Sequence, residues 1–199
     1  KHSSVRAAAT GHSFNFFACP ADEKNGAVID MIAFKKVEVV VPPRAKCEDC
    51  ADGEPFEVKA EAGIKMGQLQ NTLLARGLTL RVPPGNSAYT LGGCIATGCH
   101  NLGQSHAQDL LAVTFVLHNG TIREVKRGEP DFYAAAVSLG RLGIILSATL
   151  EVLPYRSLQW AAEQLPMPET VGVWKILKNM TTRQLSRETV GNKLVFYLA

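Results

Sequence analysis

Pro83-Pro84-Gly85-Asn86-Ser87-Ala88-Tyr89-Thr90-Leu91-Gly92-Gly93-Cys94-Ile95-Ala96-Thr97-Gly98-Cys99-His100-Asn101-Leu102-Gly103 is the stretch on which the reading of this chain turns. It holds five glycines, two prolines, Ser87, Thr90 and Thr97, and almost no charge. Such a composition is poor as a helix and poor as a regular strand, so a loop is expected. Glycines let a backbone turn sharply and approach a ligand closely. The amides and hydroxyls are then free to bind an anion, most simply a phosphate. Within the stretch only a protonated His100 adds charge, so such binding rests on N–H groups and Ser/Thr hydroxyls. An ordinary glycine-rich loop packing under its neighbours is the other reading, and composition is compatible with both.

On the N-terminal side, Val5 to Thr10 reads as a small-residue strand running into Gly11-His12-Ser13-Phe14-Asn15, a turn with His, Ser and Asn close together. Residues 27–30 and 37–41 read as short strands, and Pro42 to Pro55 as a polar loop. Phe56 to Glu61 alternates as a half-exposed strand. Met66, Leu69 and Leu73 fall on one face of a helix of about three turns, closed near Gly77. On the C-terminal side, Leu110 to Leu117 is apolar on both faces and predicts a buried strand. Asn119-Gly120 predicts a hairpin to Thr121–Val125. Asp131 is a candidate N-cap for a short helix through Val137. Ser138 to Gly143 is a second glycine-bearing turn. Ile144, Leu146, Ala148, Leu150 and Val152 then predict the inward face of a strand. Val171, Trp174, Leu177 and Met180 predict an amphipathic helix, and Asn192 to Ala199 a strand. The order is α+β, not βαβ alternation, and no G-x-G-x-x-G joins a strand to a helix; both argue against a Rossmann fold.

The 199 residues fit one domain or one and a fraction. A net charge of +3 gives no case for nucleic acid or a membrane surface. No apolar run approaches the roughly 20 residues that span a bilayer. Five cysteines without a disulfide-framework spacing mildly favour a reducing compartment. Cys47-Glu48-Asp49-Cys50 lacks the second ligand pair of a zinc site and the βαβ context of a thioredoxin motif, so it reads as chance.

Taken in order, the turn at 11–15, Ala60 to Leu69 with Gly77-Leu78, the run from Gly92 to His100, and Val137 to Ile145 resemble the FAD-binding domain of the vanillyl-alcohol oxidase family, the PCMH-type flavoproteins. Within it they are most similar to sugar-1,4-lactone and alditol oxidases. The resemblance covers about residues 5 to 153. It implies a PCMH-type domain of two α+β subdomains over residues 1–154, followed at 155–199 by the start of a second, substrate domain. Both ends of the chain are expected to be cut.

The resemblance also implies one FAD held by Gly11, His12, Ser13 and Asn15, by Gly92, Gly93, Cys94, Thr97, Gly98, His100 and Gly103, and by Ser138, Gly140, Gly143 and Ile145. His12 corresponds to the histidine that bonds covalently to the flavin 8α-methyl; taken alone it reads as a turn histidine that packs or hydrogen-bonds. The family has glycine after the histidine of the second motif, where this chain has Asn101. Cys94 and Cys99 read as small buried residues, or as thiols near the flavin that alter oxygen access or are oxidised. The implied activity is oxidation of a polyol or sugar lactone, with oxygen or another acceptor taking the electrons. A cytokinin-dehydrogenase-like or berberine-bridge-like flavoprotein and a non-catalytic flavin-binding module are the alternatives. No residue stands out as a general base.

Overall fold

The computed structural model describes residues 4–13, 16, 18–22, 24–39, 56–81, 85–101, 104–155, 159–162 and 193–196. The chain divides into two units, Lys1–Tyr155 and Arg156–Ala199. In the first, Ser4–Ala8 (β1) pairs in parallel with Gly26–Asp30 (β2), Arg6 opposite Val28. A parallel pair needs a crossover, and this one carries Gly11-His12-Ser13 near its start.

Val37–Val39 (β3) and Phe56–Glu61 (β4) pair antiparallel. The alternation of β4 does what its period requires, with Val58 and Ala60 buried and Glu57 exposed. Met66–Leu74 (α1) buries Met66, Leu69 and Leu73, the predicted stripe. The Lys65 N–H donates to Oε1 of Gln68 at 3.4 Å at its start. Beyond its end Gly77 takes φ 70° and leads into Leu78–Thr79 (β5).

Leu91–Thr97 is a helix (α2), which corrects the expectation of loop through this stretch. Glycine costs about 1 kcal/mol per helical position, but burying a large apolar side chain contributes about 1.5–3 kcal/mol. Here Leu91, Cys94 and Ile95, at i, i+3 and i+4, are buried. The turn after β4 supplies acceptors for the first amides: Leu91 N–H donates to Ile64 O at 2.9 Å and Gly92 N–H to Ala62 O at 2.8 Å. Gly98, left-handed at φ 68°, closes the helix, and Cys99 N–H returns to Cys94 O at 2.9 Å.

His100–Asn101 (β6) and Gln104–Ser105 (β7) form a small antiparallel pair, followed by a 3₁₀ turn at His106–Asp109. Leu110–Val116 (β8) and Ile122–Lys126 (β9) make the predicted hairpin, with Gly120 at φ 83°. Phe132–Ala136 (α3) starts after Asp131, whose side chain does not cap it. That carboxylate accepts from Arg123 Nη2 at 2.8 Å instead, a second correction.

Ile144–Pro154 (β10) is the centre of the main sheet, ordered β3-β4-β10-β8-β9 with β5 also on β10. A register irregularity against β8 lies between Ile145 and Ser147. The buried face therefore changes parity: Ile145 and Ser147 come first, then Ala148, Leu150 and Val152, while Ile144 and Leu146 are only half-buried. Val58, Leu69, Leu110, Phe115, Leu150 and Val152 are the solvent-free centre of the core. At the sheet's end, Arg81 donates from Nε to Asp109 at 3.0 Å and pairs with Glu151.

In the second unit, Gln159–Ala162 (β11) and Lys193–Phe196 (β12) pair in parallel. The helix expected at 171–180, Asn15, Gly103 and the Cys47/Cys50 pair lie outside the described residues. Among the described residues no helix is long and apolar enough to cross a membrane.

Candidate cofactor site

Three segments far apart in sequence meet around a cleft of about 710 Å³ in the first unit. They are β1 with the turn that follows it, α2 with Tyr89 and Thr90 before it, and residues 139–145. Ligand pockets generally occupy about 300–1,000 Å³, so the size suits an extended organic cofactor. Gly11, His12, Ser13, Gly92, Gly93, Cys94, Thr97, Gly140, Gly143 and Ile145 from the expected set all line it. The structure therefore brings most of the four motifs onto one surface.

Backbone geometry gives this surface its chemistry. The turn after β1 starts at Gly11, φ 69°, and the N–H groups of Gly11, His12 and Ser13 find no acceptor among the described residues. Orphan amides in a turn form an anion-binding concavity. Across the cleft, Leu139 and Gly140 are both left-handed, φ 51° and 73°. For leucine that conformation costs about 1–2 kcal/mol. The hydrogen bond from Leu139 N–H to Ala96 O, 3.0 Å, ties the turn to α2 and holds it there.

Side chains add less. His12 is exposed on the rim, and its ring stands edge-on to Tyr89, centroids 5.0 Å apart at 70°. Thr97 donates its hydroxyl proton to Gly93 O at 2.8 Å, which leaves the oxygen as an acceptor. Among the described lining residues Arg6 is the one Lys or Arg, and none is acidic. Neither Arg6 nor Tyr89 was among the residues expected from sequence. The alternation of β1 places Arg6 opposite in phase to Val5, but nothing local reveals that a cleft lies there.

The remaining expected residues sit elsewhere. Gly98 caps α2 beside Val137. Ser138 is buried with its Oγ unpartnered and lies off the cleft lining. His100 lines a second cavity of about 370 Å³ with His106, Asn86 and Tyr89. Cys94 and Cys99 border both cavities. Burial, with the Cys99 thiol adding to it, pushes the Cys94 thiol far above the ordinary thiol range, so it is a poor nucleophile. Burial lowers the His106 pKa, and His100 lowers it further. Burial raises Asp109 against the opposing pull of Arg81. Among the described residues no three His, Cys, Asp or Glu side chains converge on a metal position.

Among the described residues, apolar walls, amides without an acceptor and one cation without a neighbouring acid fit a ligand with a flat ring system and a diphosphate, as FAD has. Comparison with known proteins agrees. L-gulonolactone oxidase of Bos taurus is 35% identical over 160 residues, 78% of this chain and 33% of its own length. L-gulono-1,4-lactone dehydrogenase of Mycobacterium tuberculosis is 29% identical over 170 residues, 84% of this chain and 36% of its own. The chain thus spans about a third of the length of the curated relatives it matches. The crystal structure of cholesterol oxidase from B. sterolicum shares the fold at a TM-score of 0.63 and 19% identity, over 76% of this chain and 30% of that one. A model of the FAD binding domain matches residues 1–126, so the chain belongs to the FAD-binding-domain family of PCMH-type flavoproteins.

Proposed function

We propose that the chain is the cofactor-binding part of an FAD-dependent oxidoreductase that oxidises a sugar-derived alcohol or an aldono-1,4-lactone. The observation that carries this is the meeting of three glycine-bearing segments on one cleft, with His12 on its rim. The names of the two relatives above support the substrate class; one is an oxidase and the other a dehydrogenase, so the proposal leaves oxygen or another acceptor as the electron sink.

FAD, when bound, supplies the two-electron acceptor. This chain's residues bind and orient it. The amides of Gly11, His12 and Ser13 hold an anion, the Leu139-Gly140 turn lets backbone lie close, and the walls of Ala7, Ala9 and Ala62 exclude water. His12 is proposed as the covalent attachment point, through an imidazole nitrogen to the flavin 8α carbon. Its exposed ring, with Tyr89 against one edge, is free to reach a ligand. Residues 1–154 form the FAD domain in this reading, and 155–199 begin the substrate domain.

Acid precipitation of the full-length protein tests both levels. Yellow flavin retained in the pellet, and released by His12→Ala, is the expected result. Flavin in the supernatant of the unaltered protein removes the covalent role of His12. No flavin in either fraction overturns the cofactor assignment. Turnover is then assayed with aldono-1,4-lactones and alditols, with oxygen or an artificial acceptor; inactivity towards all of them removes the substrate class.

A further inference from the structure

We propose that Arg6 binds the diphosphate of FAD through its guanidinium group, an inference that rests on the cofactor reading above. Arg6 lies in the middle of β1, half-buried, and lines the cleft. Its Nη1 is the nearest atom to the space a side chain at Gly140 would enter, 3.9 Å from that Cβ position. The guanidinium therefore reaches from β1 towards the left-handed turn on the other wall.

Among the described residues no carboxylate answers this charge. Among the described residues Arg6 makes no ion pair and no side-chain hydrogen bond, and no acidic side chain lines the cleft. By contrast Arg81 and Arg123 each have carboxylate partners. A partly desolvated cation without a counter-charge is unfavourable until an anion arrives. The same cleft carries the N–H groups of Gly11, His12 and Ser13, which have no acceptor among the described residues. Cation and amides together favour an anionic ligand group with several acceptor oxygens. FAD carries its fixed negative charge on the diphosphate alone, and a guanidinium fork matches phosphate oxygens in pairs. The glycine-rich motifs lack lysine and arginine at the cleft; β1 supplies the charge instead.

The test uses the full-length protein with His12→Ala, so that binding is reversible, and titrates FAD and riboflavin by flavin fluorescence at low and high salt. Riboflavin has the ring and ribityl chain but no phosphate. Arg6→Gln is expected to weaken FAD about 10- to 100-fold, the range for a charge-assisted hydrogen bond, and to flatten its salt dependence. Riboflavin affinity stays within about twofold of the parent. Arg6→Lys keeps the charge and loses the fork, giving intermediate FAD affinity with parental riboflavin affinity. Should the Gln variant fail to fold, the Lys variant decides: parental FAD affinity there overturns the assignment. Equal loss of FAD and riboflavin in a folded Arg6→Gln protein also overturns it and makes Arg6 a scaffold residue. So does a changed reduction potential with both affinities unchanged. A His12→Ala parent that binds no FAD, with no flavin in either fraction of the unaltered protein, overturns the cofactor reading itself and this assignment with it.

Discussion

His106 shows how one buried side chain ties the stability of the fold to solution conditions. It is 4% exposed, in the wall of the second cavity, and its backbone N–H donates to Cys99 O at 3.1 Å. Burial disfavours its charged form, and His100 beside it adds repulsion, so its pKa lies below the ordinary 6.5. The unfolded chain then binds a proton that the folded chain resists. Stability rises with pH wherever the unfolded state holds more protons. The folded state is therefore expected to lose stability as pH falls below about 6.5 towards the lowered value. One such group contributes a slope of at most about 1.4 kcal/mol per pH unit. Urea unfolding from about pH 7.5 down to about pH 5 should show a shallower loss in His106→Gln than in the parent. Equal slopes in the two proteins would mean that His106 titrates alike folded and unfolded.

At the scale of the element, α2 sets the site, and its two leading glycines are not equivalent. A Cβ at Gly92 would lie 2.8 Å from Ala62 Cβ and 3.1 Å from Ala62 O, the carbonyl that accepts the Gly92 N–H. Gly92→Ala must push α2 away from the turn after β4, at about 1–3 kcal/mol for an overpacked contact. A Cβ at Gly93 meets only Thr90 Oγ1, at 3.2 Å, a contact eased by a shift of a few tenths of an ångström in a side chain that makes no cap bond. Gly93→Ala should stabilise by up to about 1 kcal/mol through helix propensity. Thermal unfolding of the pair checks this, and equal destabilisation would show that α2 tolerates neither methyl. The same helix marks where sequence reading stops. Strands β4 and β8 and helix α1 were legible because apolar spacing declares them, and β9 because Asn119-Gly120 declares the turn before it. In α2 the spacing of Leu91, Cys94 and Ile95 was present but overshadowed by Gly92, Gly93 and Gly98. The parity change in β10 leaves no local mark, because a register irregularity depends on the partner strand. Convergence of Arg6, Tyr89 and Gly140 depends on long-range packing, which motif spacing does not encode.

At the scale of the molecule, β10 joins the cleft to the core. Ile144 and Ile145 line the cleft, while Leu150 and Val152 are buried between β4 and β8. A ligand in the cleft bridges β1, α2 and β10, which local contacts connect only in part. Binding the folded state stabilises it by RT ln(1 + [L]/Kd), about 2.7 kcal/mol at a hundredfold excess over Kd. Full-length His12→Ala protein stripped of flavin should therefore melt lower than the same protein with FAD, with a midpoint that climbs with the logarithm of FAD concentration. Two variants separate scaffold from site. Leu150→Ala should cost about 2–5 kcal/mol and lower the midpoints with and without FAD together, leaving the gap between them intact. Gly140→Ala meets no clash, only Arg6 Nη1 at 3.9 Å, but forces alanine into the left-handed region at about 1–2 kcal/mol. Relaxation of that turn should weaken FAD and narrow the gap. Calorimetry with and without FAD reads both. A gap that narrows equally in the two variants would mean that the cleft and the core melt and bind as one body, with no separable site.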